Sequence, residues 1–153
     1  MRQAIEVSVR GAWPESDASA SVTLDFDDRH RRRIRLTDDQ GEDFLLNLNS
    51  ATVLHDGDGL ALEGGGYIRV QAALEAVADI KTSSPAHTAR IAWHIGNRHT
   101  PVQVLDDATL RIRDDHVLVA MVEGLGAEVV RHQAAFAPEP GAYDSGEHAH
   151  DHA

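Results

Sequence analysis

The hydrophobic period of this chain changes once, near Gln71, and no other feature restricts its fold as much. Before that point apolar residues alternate with polar ones. Ile5, Val7 and Val9 interleave with Glu6, Ser8 and Arg10, and Val22, Leu24 and Phe26 with Thr23 and Asp25, the period of two that half-buried strands require. Shorter runs at Ile34 and Leu36, Phe44 to Leu48, Leu60 to Leu62 and Tyr67 to Val70 are separated by Asp27-Asp28, Asp56-Gly57-Asp58-Gly59 and Gly64-Gly65-Gly66, which carry turn chemistry. A small antiparallel sheet or barrel is predicted over residues 1–71. The Asp-Gly-Asp-Gly segment lacks the alternating acids and closing Glu of a calcium loop and reads as a tight turn.

Beyond Gln71, strands alternate with helices. Ala76, Ala78 and Ile80 suggest a strand, and Ser84-Pro85 supplies an N-cap and a proline at the first helical position, where its missing N–H costs nothing. In the helix that follows, Ala89, Ala92 and Trp93 fall at helical spacing, and Gly96 with Asn97 offers the left-handed residues that end it. Pro101 to Leu105, a turn at Asp106-Asp107 and Thr109 to Arg113 read as a hairpin. Asp114 is placed to cap a second helix with Val117, Leu118, Met121, Val122 and Leu125 on one side. Gly126 stops that helix, and a last strand runs from about Ala127 to Phe136. The order β-α-β-β-α-β is that of the ferredoxin-like split unit. The predicted class is therefore α+β: a β-rich unit over 1–71, a ferredoxin-like unit over 72–143 and a flexible histidine-bearing tail over 144–153.

At 153 residues with 42% hydrophobic side chains, the chain can bury a core without covalent staples. No run approaches the roughly 18 apolar residues of a membrane span, and Met1 to Ile5 lacks the apolar segment of a secretory signal. A cytoplasmic protein is expected, with no membrane partner. A formal net charge of -11 argues against nucleic acid, which is held by clustered Lys and Arg. The basic run Arg29-His30-Arg31-Arg32-Arg33 is offset by Asp27-Asp28 and Asp38-Asp39 and reads as a polar turn entering a strand. Its alternative reading is a docking patch for an acidic partner protein.

Cysteine is absent while histidine occurs ten times. Disulfides, thiolate zinc sites, iron–sulfur clusters and cysteine nucleophiles are thereby removed together, leaving imidazole, carboxylate and backbone oxygen as metal ligands. His148, His150 and His152 alternate through the ending Gly146-Glu147-His148-Ala149-His150-Asp151-His152-Ala153. Interrupted by acids and preceded by Pro and Gly, this ending reads as native sequence and not as an appended tag. Such a tail can capture a borderline ion without a folded cage. His99, just past a predicted helix end and before Pro101, can reach solvent or a second subunit, but one imidazole cannot hold a transition metal tightly. His116 is a further possible ligand at the first turn of a helix, and His94 is read as a packing residue. No His-Glu-x-x-His or clustered acid/base arrangement supports a metal-dependent hydrolase.

Several of these segments occur together in one order: His94-Ile95-Gly96-Asn97-Arg98-His99, Pro101-Val102-Gln103-Val104, Asp115-His116-Val117-Leu118, Leu125-Gly126, Phe136-Ala137-Pro138-Glu139-Pro140-Gly141-Ala142-Tyr143, and the histidine-bearing end. In this the chain resembles the UreE family of urease accessory proteins. The resemblance implies a homodimeric nickel metallochaperone with no bond-breaking activity, whose His99 binds metal at the dimer axis. It also implies partners, a urease accessory GTPase and the urease maturation complex, and a β-rich first domain for partner or peptide interaction. Ni(II) accepts nitrogen-rich ligation by two His99 side chains assisted by His148, His150 and His152, and Cu(II) or Zn(II) can compete in vitro. Some relatives carry another histidine at the place of Asp114, so a peripheral site on His116 lacks its pair here. Because imidazole ligates only when neutral, acid should favour release. The competing expectation is a general metal buffer or sensor dominated by the tail.

Overall fold

The computed structural model describes residues 1–141, which divide into two compact units, Met1–Ala73 and the part from Leu74 onward. The three tail histidines and the rest of the predicted tail lie outside the described residues.

In the first unit β1 (Arg2–Ser8) is followed by a 3-10 turn (Glu15–Asp17), β2 (Ala18–Leu24), a one-turn α1 (Phe26–Arg29), β3 (His30–Thr37), β4 (Asp43–Val53), β5 (Gly59–Leu62) and β6 (Tyr67–Ala72). The strands form one six-stranded sheet in the order β2-β6-β5-β1-β4-β3. The sheet is mixed, not antiparallel as predicted: β1 runs parallel to β4 and β2 parallel to β6. Ala4, Val22, Leu24, Leu36, Phe44, Leu46, Leu60, Ile68 and Val70 join in a single core drawn from all six strands. The alternation in β4 shows why: Phe44, Leu46 and Leu48 are buried, while Leu45 and Asn47 between them are not.

The opening strand departs from expectation. Ala4 is buried, whereas Ile5 is 42% and Val9 66% exposed. A register irregularity between Ala4 and Glu6 in the pairing with β5 breaks the simple alternation, and one inserted residue exchanges the faces of everything beyond it. The basic run also differs. It is not a turn: Asp25 caps α1 by accepting from the Asp28 N–H, and β3 begins at His30. Arg29 is buried, donating to the carbonyls of Leu24 and Leu54.

The Asp56-to-Gly59 turn is held by its own acids. Asp58 accepts from the backbone N–H of Arg10 and of His55, each at 2.9 Å, and Asp56 from that of Ala72. Trp13 closes over this turn, donating through Nε1 to the Gly57 carbonyl at 3.1 Å, with its ring 5.1 Å from that of Tyr67. A Cβ on Gly59 would lie 2.5 Å from the Trp13 ring. Gly59→Ala is therefore expected to destabilise the first unit by about 2 kcal/mol, the scale of overpacking a filled core, measured as a lowered urea midpoint with altered Trp13 fluorescence.

The second unit contains β7 (Leu74–Lys81), α2 (Pro85–Asn97), β8 (Gln103–Val104), β9 (Leu110–Arg113), α3 (His116–Gly124) and β10 (Glu128–Ala135). Its sheet is antiparallel throughout, in the order β10-β7-β9-β8. Ala78, Ile80, Leu110 and Ile112 from the strands meet Ile91 and Ile95 of α2 and Leu118, Val119 and Val122 of α3 in one core. The helix faces differ from prediction. Trp93 is 63% exposed and Val117 is also exposed, because the stripes at 91/95 and 118/119/122 fill the space above the sheet. The strand expected from Pro101 shrinks to Gln103–Val104. Among the described residues no helix is long and apolar enough to cross a membrane.

Candidate metal centre

One helix end and one helix start position the candidate ligands. Ser84 caps α2 by accepting from the His87 N–H, with Pro85 inside the first turn. At the other end neither Gly96 nor Asn97 turns left-handed, contrary to prediction. The chain continues one residue past the C-cap Arg98, and His99 itself takes the left-handed conformation, with φ 56°. The His99 N–H donates to the Gly96 carbonyl at 2.9 Å, and the Thr100 N–H to that of Ile95 at 3.5 Å. These two bonds make the Schellman closure, whose left-handed residue is usually glycine.

α3 ends in the same closure with the usual residue. The Gly126 N–H donates to Glu123 and the Ala127 N–H to Val122, with Gly126 at φ 91°. Against that matched end, the histidine at position 99 is the exception. A left-handed Cβ costs roughly 1–2 kcal/mol, and such outliers persist where a side chain is needed for something other than the fold. His99 is exposed, and no described side chain hydrogen-bonds its imidazole.

His116 is the first residue of α3 and is also exposed. The predicted cap is corrected by one residue. Asp115 caps α3, accepting from the N–H groups of Val117 and Leu118 at 2.9 and 3.1 Å, while Asp114 pairs with Arg131 at 3.1 Å. Asp114 is thus engaged by a guanidinium.

The remaining described histidines of this unit have structural partners. His94 is half-buried, with Trp93 edge-on at 5.0 Å between ring centroids. His87 ties α2 to the end of α3: its Nδ1 accepts from the Ser83 N–H, and its Nε2 donates to the Leu125 carbonyl at 2.8 Å. This arrangement assigns the Nε2–H tautomer. His132 Nε2 lies 2.7 Å from Asp79 Oδ2, and Arg111 grips both oxygens of the same carboxylate, at 2.7 Å through Nε and 3.0 Å through Nη2. The Arg111 bonds, aided by His132, hold the Asp79 carboxyl below its ordinary range, and Asp79 in turn raises Arg111. No local pattern in the sequence marks His132 or His87, because their partners lie 53 and 38 residues away.

Among the described residues no three His, Cys, Asp or Glu side chains are grouped to hold a metal ion within one chain. The fold and these positions define a two-unit α+β protein that presents separate imidazoles on its surface. Two family models match it: the N-terminal domain of the UreE urease accessory protein over residues 3–73 and its C-terminal domain over residues 75–153. The urease accessory protein UreE of Bradyrhizobium sp. strain ORS 278 is 51% identical over 150 residues, covering 98% of this chain and 70% of the relative. The protein of that name from Bradyrhizobium sp. strain BTAi1 is 49% identical, covering 99% and 73%. The one from Rhodobacter capsulatus is 44% identical, covering 99% and 94%. The chain belongs to the UreE family of urease accessory proteins, and it is an accessory chaperone, not an enzyme.

Proposed function

We propose that this protein is a nickel metallochaperone that carries Ni(II), its cargo, to the assembling urease active site. In this reading two subunits each present His99 and hold the ion between them, and His148, His150 and His152 lend further imidazoles. The observation that carries it is His99 in a glycine-favouring conformation, exposed and unclaimed by any described side chain. The donor chemistry fits: imidazole nitrogens without thiolates suit Ni(II), and a site open on one side permits stepwise ligand exchange with a recipient. A shared site also accounts for the lack of a three-ligand cluster in the described part of one chain.

Exposed Trp93, on the helix that leads to His99, together with Val104 and Val117, provides apolar surface of the kind that self-association buries. The four-stranded order β10-β7-β9-β8 supports reading the second unit as the ferredoxin-like metal-binding domain. His116 serves as an auxiliary ligand, weakened because Asp114 is held by Arg131. The recipient is a urease accessory GTPase acting with the urease maturation complex, in the cytoplasm, and the first unit supplies the partner-facing β domain.

Calorimetric nickel titration of the wild type, of His99→Ala and of a chain ending at Tyr143, with mass measured with and without metal, tests this reading. The tight site should vanish in His99→Ala, and the truncated chain should lose stoichiometry while keeping that site. Reversed outcomes would instead identify a tail-dominated buffer or sensor. A protein that stays monomeric with nickel tightly bound would overturn the shared site.

A further inference from the structure

We propose that the outer edge of β3 is a docking strand for an extended acidic segment of a partner protein. This inference does not depend on the nickel reading. Among the described residues β3 is the last strand of its sheet and pairs only with β4, so no described strand lies along its other side. Five of the 14 basic residues of a chain with net charge -11 fall between positions 29 and 35, and four of them, Arg31, Arg32, Arg33 and Arg35, are exposed on this strand. Arg35 is taken by Asp43 at 2.6 Å and Arg31 is loosely matched by Asp28 at 3.6 Å. Arg32 and Arg33 have no carboxylate partner among the described residues.

Charged edge strands commonly serve to prevent pairing with other chains. That barrier is selective. An uncharged or basic strand laid along β3 would crowd guanidinium groups without neutralising them, whereas an acidic one would exchange a repulsive edge for cross-strand ion pairs. Spacing favours a β-strand occupant. The register with β4 is regular from Arg33 to Thr37, and a rise of about 3.3 Å per residue places Arg33 and Arg35 roughly 6.6 Å apart on one face. Carboxylates at alternate positions of an added strand have the same period. Between the two arginines Ile34 turns toward the core and is half-buried, so the partner residue beside it is apolar. The segment recognised therefore alternates acidic and apolar residues, a form of strand addition.

The opposite edge of the sheet lacks this character. β2 presents Ser19, Ser21 and Thr23, and the hydroxyls of Ser21 and Thr23 are bonded to Asp39. Nucleic acid is disfavoured by the chain's overall negative charge.

A labelled peptide alternating Glu and Val, with both ends blocked, is the probe. Its Gln/Val and Lys/Val counterparts and a single-stranded DNA are the comparisons. Fluorescence anisotropy should show the Glu/Val peptide binding the intact protein at low salt, weakening about tenfold or more as salt rises, with the other probes binding much less. Amide exchange should slow at Arg33–Thr37. Arg32→Glu combined with Arg33→Glu should abolish binding, and the milder pair Arg32→Gln with Arg33→Gln should weaken it several-fold, both with unchanged circular dichroism and nickel uptake. The proposal is overturned by equal binding of the Gln/Val peptide, by preferential binding of DNA, by failure of the Glu/Val peptide to bind at low salt, or by binding that leaves β3 exchange unaltered.

Discussion

His99→Gly is expected to lose the tight nickel site while folding at least as well as the wild type. The two effects come from different parts of the residue. In the proposed site nickel would depend on the imidazole, whereas the fold sees only a Cβ at φ 56°. Relieving a left-handed side chain returns roughly 1–2 kcal/mol, and the extra backbone freedom that glycine loses on folding takes back about 0.5–1 kcal/mol. The net lies between about zero and about 1.5 kcal/mol of gain, at most a few degrees in the melting temperature of a domain this size. Gly126→Ala, in the matched closure of α3 at φ 91°, should do the reverse, losing about 1 kcal/mol with nickel affinity unchanged. His99→Ala should abolish the site without the gain. Differential scanning calorimetry of the metal-free proteins beside nickel titration separates the effects. A His99→Gly protein less stable than His99→Ala would show that position 99 is unstrained, and one that keeps wild-type nickel affinity would remove His99 from the site.

That strain explains part of what the amino-acid sequence hides. Left-handed helix ends are recognised by Gly or Asn, so the pattern pointed to Gly96 and Asn97; the residue that turns is His99, which the rule does not expect. Elsewhere legibility follows burial. Phe44, Leu46 and Leu48 announce a half-buried strand because alternate residues face the core. The same alternation is silent about neighbours, so it could not tell that β1 pairs with β4 in parallel. Apolar side chains turned outward, such as Trp93 and Val117, look in sequence like those turned inward. Tandem Asp114 and Asp115 offer equal capping chemistry, and only the backbone decides that Asp115 reaches the free N–H groups of α3. The candidate site was legible as single residues, since a histidine beside a helix end is visible in the chain. How imidazoles from two copies would meet is not encoded in local spacing.

The largest structural loss in the second unit is expected from Asp79→Asn. Asp79 and Arg111 are only 13% and 15% exposed, and His132 leans on the same carboxylate. Replacing the carboxylate by an amide leaves Arg111, on the neighbouring strand β9, with no counter-charge in a poorly solvated place. It also turns an N–H group toward donors that had been accepted. Breaking a fully buried pair costs about 3–5 kcal/mol; with some solvent access retained here, about 2 kcal/mol is expected. The pH dependence identifies the cause. Because the Asp79 pKa is lowered in the folded state, chiefly by Arg111, its stabilisation is complete above the unfolded carboxylate value of about 3.9. It is lost as pH falls through the lower folded value. The gap in stability between wild type and Asp79→Asn should therefore be constant from pH 7 to about 5 and close progressively below about 4. Urea unfolding at each pH, with amide exchange of β7, β9 and β10 reporting on this unit alone, measures it. A gap undiminished at the acid end would mean that the amide disturbs packing and that the charge contributes little.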